Sequence, residues 1–315
     1  MDPPRYDIKV SHSRERGRAR YADHSHPTTQ NDARWGPPRS VRAASGIVSV
    51  MERVVESDHA RISYSVEGSS DAPALLLSNS IGTTRDLWAR QTSALTHGFR
   101  VIRYDTRGHG DSSVPDGDYS LEQLGRDAIA ILDQEHVASA HVCGLSLGGL
   151  TAMWLGLRVP DRVSSLVLAN TGARLRDEEF WNERIALVRS HGMAALADRA
   201  VTTWFSEAFR GRDPDTVHDF RAMLSDCPPE GYAGCCAALR DADLREDISG
   251  IRRPTLVIGG SADNATPLTL AEFMRDQISG AQLVTLDAAH LSNVEQADGF
   301  TDALMEFLAA QPALV

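Results

Sequence analysis

From residue 53 onward, short apolar runs alternate with segments in which apolar residues recur at helical spacing. RVVES and ARISYSVEG surround an SDH turn and predict a β-hairpin of alternating residues. ALLLSNSIG, 74–82, predicts a buried apolar strand ending in small residues. Residues 86–95 predict a helix carrying Trp88, and RVIRYD, 100–105, the next strand. After the glycine-rich loop TRGHGDSS, a helix is predicted from Ser120 to about His136, with Leu121, Leu124, Ala128, Ile131 and Leu132 on one face. Ser120 with Gln123 forms a capping-box pattern at its start. Strand 140–143, helix 150–157 and the turn and strand of PDRVSSLVLAN, 160–170, follow. After a gap come the strand of RPTLVIGGSAD, a helix from Leu268 to Ile278, the strand AQLVTLD and a final helix from about Val294 to Ala310.

Strands that alternate with helices in this way build a mostly parallel sheet with helices on both faces. Eight strands are predicted. Residues 171–250 interrupt the rhythm: they are helical in pattern, rich in charge and in aromatics such as Trp181 and Trp204, and broken at CPPEGY, 227–232. They read as an inserted helical cap between a first core part, 47–170, and a second, 251–315. Residues 1–46 differ from both, with PP pairs, the run SRERGRAR and no apolar periodicity, the composition of a disordered extension. Met51, just ahead of the first strand, reads as an alternative start of translation.

Composition narrows the class. The 42% hydrophobic content supports a sizeable core. No run of about 18 apolar residues is present to suggest a membrane span, and no secretory apolar region stands near the N-terminus. The net charge of −11 argues against a nucleic-acid partner. The extension holds nine Lys/Arg against five Asp/Glu, so the remainder is more acidic still. Cys143, Cys227, Cys235 and Cys236 show no metal-ligand spacing, which points to a reduced, cytoplasmic protein. Lys9 is the only lysine, so every cationic anchor in the core must be an arginine.

Candidate chemistry centres on CGLSLGG, 143–149. A strand that turns at once into a helix drives the residue at the turn toward positive φ, and glycines at 144 and 148 relieve the crowding around Ser146. The serine is thereby exposed at a helix N-terminus, whose N–H groups favour an anion. A serine hydroxyl needs a base, and the base an orienting carboxylate. On this scaffold the order is serine, acid, histidine. Asp263 follows the strand TLVIGG and His290 follows LVTLDAA. Asp241, Asp243 and Asp247 compete with Asp263, and His109 and His141 with His290. Position favours His290, because it lies in the last strand-to-helix loop while His141 precedes the nucleophile inside a strand. Two backbone donors for an oxyanion are expected from Leu147 and from SNSIG, where Ser80 is the first candidate and Ile81 the second.

Residues 51–313 resemble the α/β-hydrolase superfamily through GLSLGG, YDTRGHGDS and PDRV. Within it, SNSIGT (78–83), YSLEQLGRD (119–127), GYAGCCAALRDADLR (231–245) and AAHLSNVEQ (288–296) resemble the 3-oxoadipate enol-lactonases of aromatic catabolism. The resemblance implies an α/β-hydrolase fold, the triad Ser146, Asp263 and His290, a carboxylate-bearing lactone as the small-molecule partner, and no metal or organic cofactor. The extension departs from the family pattern, and a fused arrangement with a carboxymuconolactone decarboxylase domain is not expected.

A carboxylate on the substrate requires a local cation in so acidic a protein. Arg85, Arg107, Arg174 and Arg240 are the candidates. Arg240, in the cap segment most specific to the resemblance, is preferred; Arg107 has a structural alternative, bracing the fold against carboxylates such as Asp105. Trp88, with Trp154, Trp181 and Trp204, is a candidate pocket wall, and core packing is the alternative role for each and the commoner one. Two other readings remain open: a different serine hydrolase (carboxylesterase, cofactor-free perhydrolase or carbon–carbon bond hydrolase), and a hydrolase fold used only for binding.

Overall fold

The computed structural model describes residues 51–311; the expected extension, 1–46, lies outside the described residues. Eight strands form one sheet: β1 Met51–Ser57, β2 Ala60–Glu67, β3 Ala74–Ser78, β4 Arg100–Tyr104, β5 Ala140–Leu145, β6 Val163–Ala169, β7 Thr255–Gly260 and β8 Gln282–Leu286. Their order is β1-β2-β4-β3-β5-β6-β7-β8. The β1–β2 hairpin is antiparallel, as is its pairing to β4 through Tyr64 and Tyr104, and from β4 to β8 every pairing is parallel. The burial pattern explains the apolar runs: β3, β5 and β7 are buried along their whole length, as strands covered on both faces must be.

Eleven α-helices are described: α1 Ala89–Leu95, α2 Leu121–Gln134, α3 Leu147–Arg158, α4 Glu178–His191, α5 Ala194–Trp204, α6 Glu207–Arg212, α7 Pro214–Ser225, α8 Pro229–Asp241, α9 Leu268–Gln277, α10 Ser292–Glu295 and α11 Ala297–Ala309. The Ser120–Gln123 capping box is formed in both directions at the start of α2. Two elements differ from expectation. The helix predicted from 86 begins as a 3-10 turn, Arg85–Trp88, before α1. The last helix is split at Gln296, whose ψ of 54° breaks the ladder between α10 and α11. Helices α4 to α8 lie between β6 and β7, with α4 packed on α8 and α5 on α7.

Because β3, β5, β6, β7 and β8 run parallel, their carboxyl ends open on the same edge of the sheet, where such folds place ligands. Ser80, Ser146, Asn170, Asp263 and His290 all lie in the segments that leave those ends.

Candidate active site

Ser146 joins β5 to α3 with φ 58° and ψ −113°. A serine pays for that conformation in strain, on the order of 1–3 kcal/mol, so its surroundings must hold it. The Ser146 N–H donates to the Ala169 carbonyl at 3.0 Å, and Thr171 Oγ1 donates to the Ser146 carbonyl at 2.7 Å. A Cβ on Gly144 would lie 2.0 Å from the Gly148 oxygen, and one on Gly148 would lie 2.2 Å from the Ser78 oxygen. Glycine alone fits this turn.

The loop after β3 is anchored from three sides. The Gly148 N–H donates to the Asn79 carbonyl at 2.9 Å. Asn79 Nδ2 donates to the Tyr104 carbonyl at 2.7 Å, while Asn79 Oδ1 accepts from Trp88 Nε1 at 2.9 Å. The Gly82 N–H donates to His109 Nε2 at 2.9 Å. That bond puts the ring hydrogen of His109 on Nδ1, which donates to the Arg107 carbonyl at 3.2 Å. Ser80 and Ile81 thus line a cavity shared with Ser146 and His290. Leu147, as the first residue of α3, presents an N–H with no partner inside the helix. Ser80 Oγ is buried and, among the described residues, lacks a hydrogen-bond partner.

On the other side of His290, its Nδ1 lies 2.9 Å from Asp263 Oδ2. The carboxylate is heavily solvated by protein donors. Asp263 Oδ1 accepts from the N–H groups of Ala265 and Thr266 at 2.8 and 2.9 Å, an Asx-type turn. Asp263 Oδ2 also accepts from Thr266 Oγ1 at 2.6 Å and Asn170 Nδ2 at 2.9 Å. Burial works to raise the Asp263 pKa, but the charge and hydrogen bond of His290 with the Thr266 bonds outweigh it and hold the carboxyl down at about 2. It is ionised at neutral pH, the state in which a carboxylate can orient a histidine ring. The loop carrying His290 is fixed by Glu295, whose buried carboxylate accepts from the N–H groups of Ala289 and Ser206, each at 3.1 Å, and from the Ser206 hydroxyl.

The cavity encloses about 270 Å³, room for one small ring with a short arm. Trp181 of α4 and Trp204 of α5 form part of its wall. The expected substrate contacts are placed elsewhere. Trp88 is fully buried, with its ring nitrogen bonded to Asn79, so it braces the β3 loop from behind. Arg240 stands in the last turn of α8, its guanidinium shared between Asp241 and Asp118 at 2.7 and 3.1 Å. The other three candidates are also paired: Arg107 braces the fold against Asp127, in a buried two-point contact, rather than against Asp105, which pairs with Arg85, and Arg174 pairs with Asp243. The cationic groups on the cavity wall are instead Arg176, Arg184 and Arg199.

The sequence reasoning passed over Asn170, Thr266, Glu295 and these three arginines. Asn170 had a readable signal, since it follows a strand as directly as Ser146 does. Among the described residues no cluster of three or more His, Cys, Asp or Glu side chains is placed to hold a metal ion, and no helix is long and apolar enough to cross a membrane. All four cysteines are free and buried, and burial pushes the Cys236 thiol up to about 12.

Residues 73–297 match the family model described as the alpha/beta hydrolase fold. The chain is 41% identical to 3-oxoadipate enol-lactonase 1 of Acinetobacter baylyi over 247 residues, 78% of this chain and 92% of that protein. It is 31% identical to a putative carbamate hydrolase, RutD, of Variovorax paradoxus, over 78% of this chain and 95% of that one. Among solved structures, the enol-lactonase from Burkholderia xenovorans superposes with a TM-score of 0.81 at 40% identity, covering 82% of this chain and all of that one.

Proposed function

Because the chain belongs to the alpha/beta hydrolase fold family, and within it to the enol-lactonases, we propose that it opens 3-oxoadipate enol-lactone to 3-oxoadipate in the β-ketoadipate route of aromatic catabolism. The observation that carries this reading is the juxtaposition of Ser146 and His290 on one cavity wall, with Asp263 bonded to the far nitrogen of His290, in a chain so similar to enol-lactonases.

In this scheme Ser146 Oγ attacks the lactone carbonyl as His290 Nε2 takes its proton. Asp263, kept ionised, holds the Nδ1 hydrogen and stabilises the imidazolium that forms. The developing oxyanion rests on the N–H groups of Leu147 and Ser80, preorganised donors that need no rearrangement. Collapse breaks the ring C–O bond. The departing enol oxygen takes the proton from His290, and the enol tautomerises to the ketone, which drains the reverse reaction. The chain remains attached to Ser146 as an acyl ester. Water, giving its proton to His290, then attacks that ester and releases 3-oxoadipate, and Ser146 regains its proton. The protein's own base, acid and oxyanion donors supply each step, so the scheme calls on no metal or organic cofactor.

The partner on this reading is a small lactone bearing a carboxylate. Four free, buried cysteines fit a reducing compartment, which supports a cytoplasmic location. The test is kcat/KM for the enol-lactone against that for 4-nitrophenyl butyrate. The lactone should be favoured by roughly 100-fold or more, the discrimination expected of a site built for it; a preference for the neutral ester would make the protein a carboxylesterase.

A further inference from the structure

The cavity above Ser146 has a charge pattern opposite to that of the chain. The whole sequence carries −11, yet the cavity lining includes three arginines and no aspartate or glutamate. Among the described residues, none of Arg176, Arg184 and Arg199 pairs with a carboxylate, whereas Arg85, Arg107, Arg174 and Arg240 all do.

The three differ in how firmly they are held. Arg199 is exposed on α5. Arg176 is exposed too, and spends a nitrogen on the Asn264 carbonyl at 2.5 Å. Arg184, on α4, is half-buried. Its guanidinium carbon lies 4.7 Å from the ring centre of Phe180 and 5.8 Å from that of Trp181, and Nη1 donates to Tyr232 Oη at 3.1 Å. These cation–π contacts and one hydrogen bond hold the guanidinium in place and leave most of its N–H donors unspent. Tyr232 is buried, and its phenol accepts from Arg184, so its own hydrogen is left to donate. The same tyrosine ring packs against the β3 loop, 3.2 Å from where a Cβ on Gly82 would stand. One side chain therefore links the loop of Ser80 to the cap arginine.

We infer that Arg184, positioned by Tyr232 and its two aromatic neighbours, binds the carboxylate of the substrate. This rests on the reading of the site as a serine hydrolase for an acidic lactone, and it names the group that selects the acid. In such a lactone the carbonyl carbon and the carbon bearing the acidic arm flank the same ring oxygen. With the carbonyl at Ser146, the arm reaches across the ring toward the cap. A planar guanidinium meets a carboxylate there at two points, which a lysine cannot reproduce.

The test uses two chromogenic esters of similar length, 4-nitrophenyl hydrogen succinate and 4-nitrophenyl butyrate, so that it reads the arginine whichever lactone is the physiological substrate. Wild type should favour the anionic ester. Arg184→Met should lower kcat/KM for it by roughly 10- to 100-fold, mainly through KM, with the neutral ester changed by less than about 2-fold. Arg184→Lys should fall between, and Tyr232→Phe should lose a few-fold on the anionic ester alone. An unchanged ratio in Arg184→Met, or in Arg184→Lys and Tyr232→Phe should the methionine variant not fold, would overturn the assignment. So would a loss that appears in Arg199→Met instead. Wild type that shows the ester preference but leaves the enol-lactone untouched would remove the proposed substrate and keep the anchor.

Discussion

His109 shows how much one buried ring contributes to the site without touching the cavity. It lies in the loop after β4, accepts the Gly82 N–H, and so ties down the segment carrying Ser80. Burial holds its pKa down to about 4, against an ordinary value near 6.5. The sign follows from proton counting. Between those values the unfolded chain binds a proton at this position and the folded chain does not, so stability is complete above about pH 6.5 and is lost as pH falls toward 4. The loss amounts to about 3 kcal/mol between pH 7 and pH 4. His141 is depressed by burial in the same direction, so the comparison must be with a variant. Urea unfolding of wild type and His109→Gln at both pH values should show the wild-type stability falling more steeply by that amount. Parallel pH curves would mean that the ring does not stay neutral in the folded protein.

At the scale of elements, the site is a set of strand ends held in register by short connections. The turn from β5 to α3 stores strain at Ser146, and the close fits of Gly144 and Gly148 explain why the sequence reads GLSLGG there. The connection from β8 to α10 is fixed differently, through the buried carboxylate of Glu295, which accepts from Ala289 on one side of His290 and from Ser206 at the start of α6. Both backbone N–H groups reach one carboxylate oxygen, Oε2, and the Ser206 hydroxyl reaches the other, so a glutamine keeps one oxygen for the N–H groups but loses the charge and the acceptor that takes the Ser206 hydroxyl hydrogen. Glu295→Gln should therefore destabilise the fold by about 1–3 kcal/mol, the cost of an unmatched buried polar group. It should also lower kcat by roughly 10-fold or more as His290 drifts from Ser146. Unfolding and steady-state kinetics on a neutral ester check both, and wild-type values in each would show that the His290 loop is held by other contacts. The capping box of α2 was readable from Ser120 and Gln123 because it is local; the Glu295 contact was not, because Ser206 lies 89 residues away.

Across the whole molecule, what was legible depended on the range of the interaction. A strand covered on both faces must be apolar throughout, so β3, β5 and β7 announced a parallel sheet, and the strand-end positions of Ser146, Asp263 and His290 followed from chain order. The cationic side of the cavity was not legible in that way. Arg240 lies in the segment most specific to the resemblance, but helix α8 carries it to Asp118, 122 residues away in sequence, and no pattern along α8 reveals that partner. Arg184 looks ordinary in sequence, and it stands out only once α4 is packed on α8 and its guanidinium meets Phe180, Trp181 and Tyr232. Local periodicity thus marked the scaffold and a short glycine motif marked Ser146, while the arginines on the cavity wall lie on segments between β6 and β7 that come together only in the folded chain. The decisive measurement is the loss of 3-oxoadipate enol-lactone, generated in situ and followed by its ultraviolet absorbance, with wild type and with Ser146→Ala. Wild type should consume it rapidly and the alanine variant should be slower by roughly 10⁴-fold or more. An alanine variant as fast as wild type would contradict the role given to Ser146, and a wild type that leaves the lactone intact would contradict the function itself.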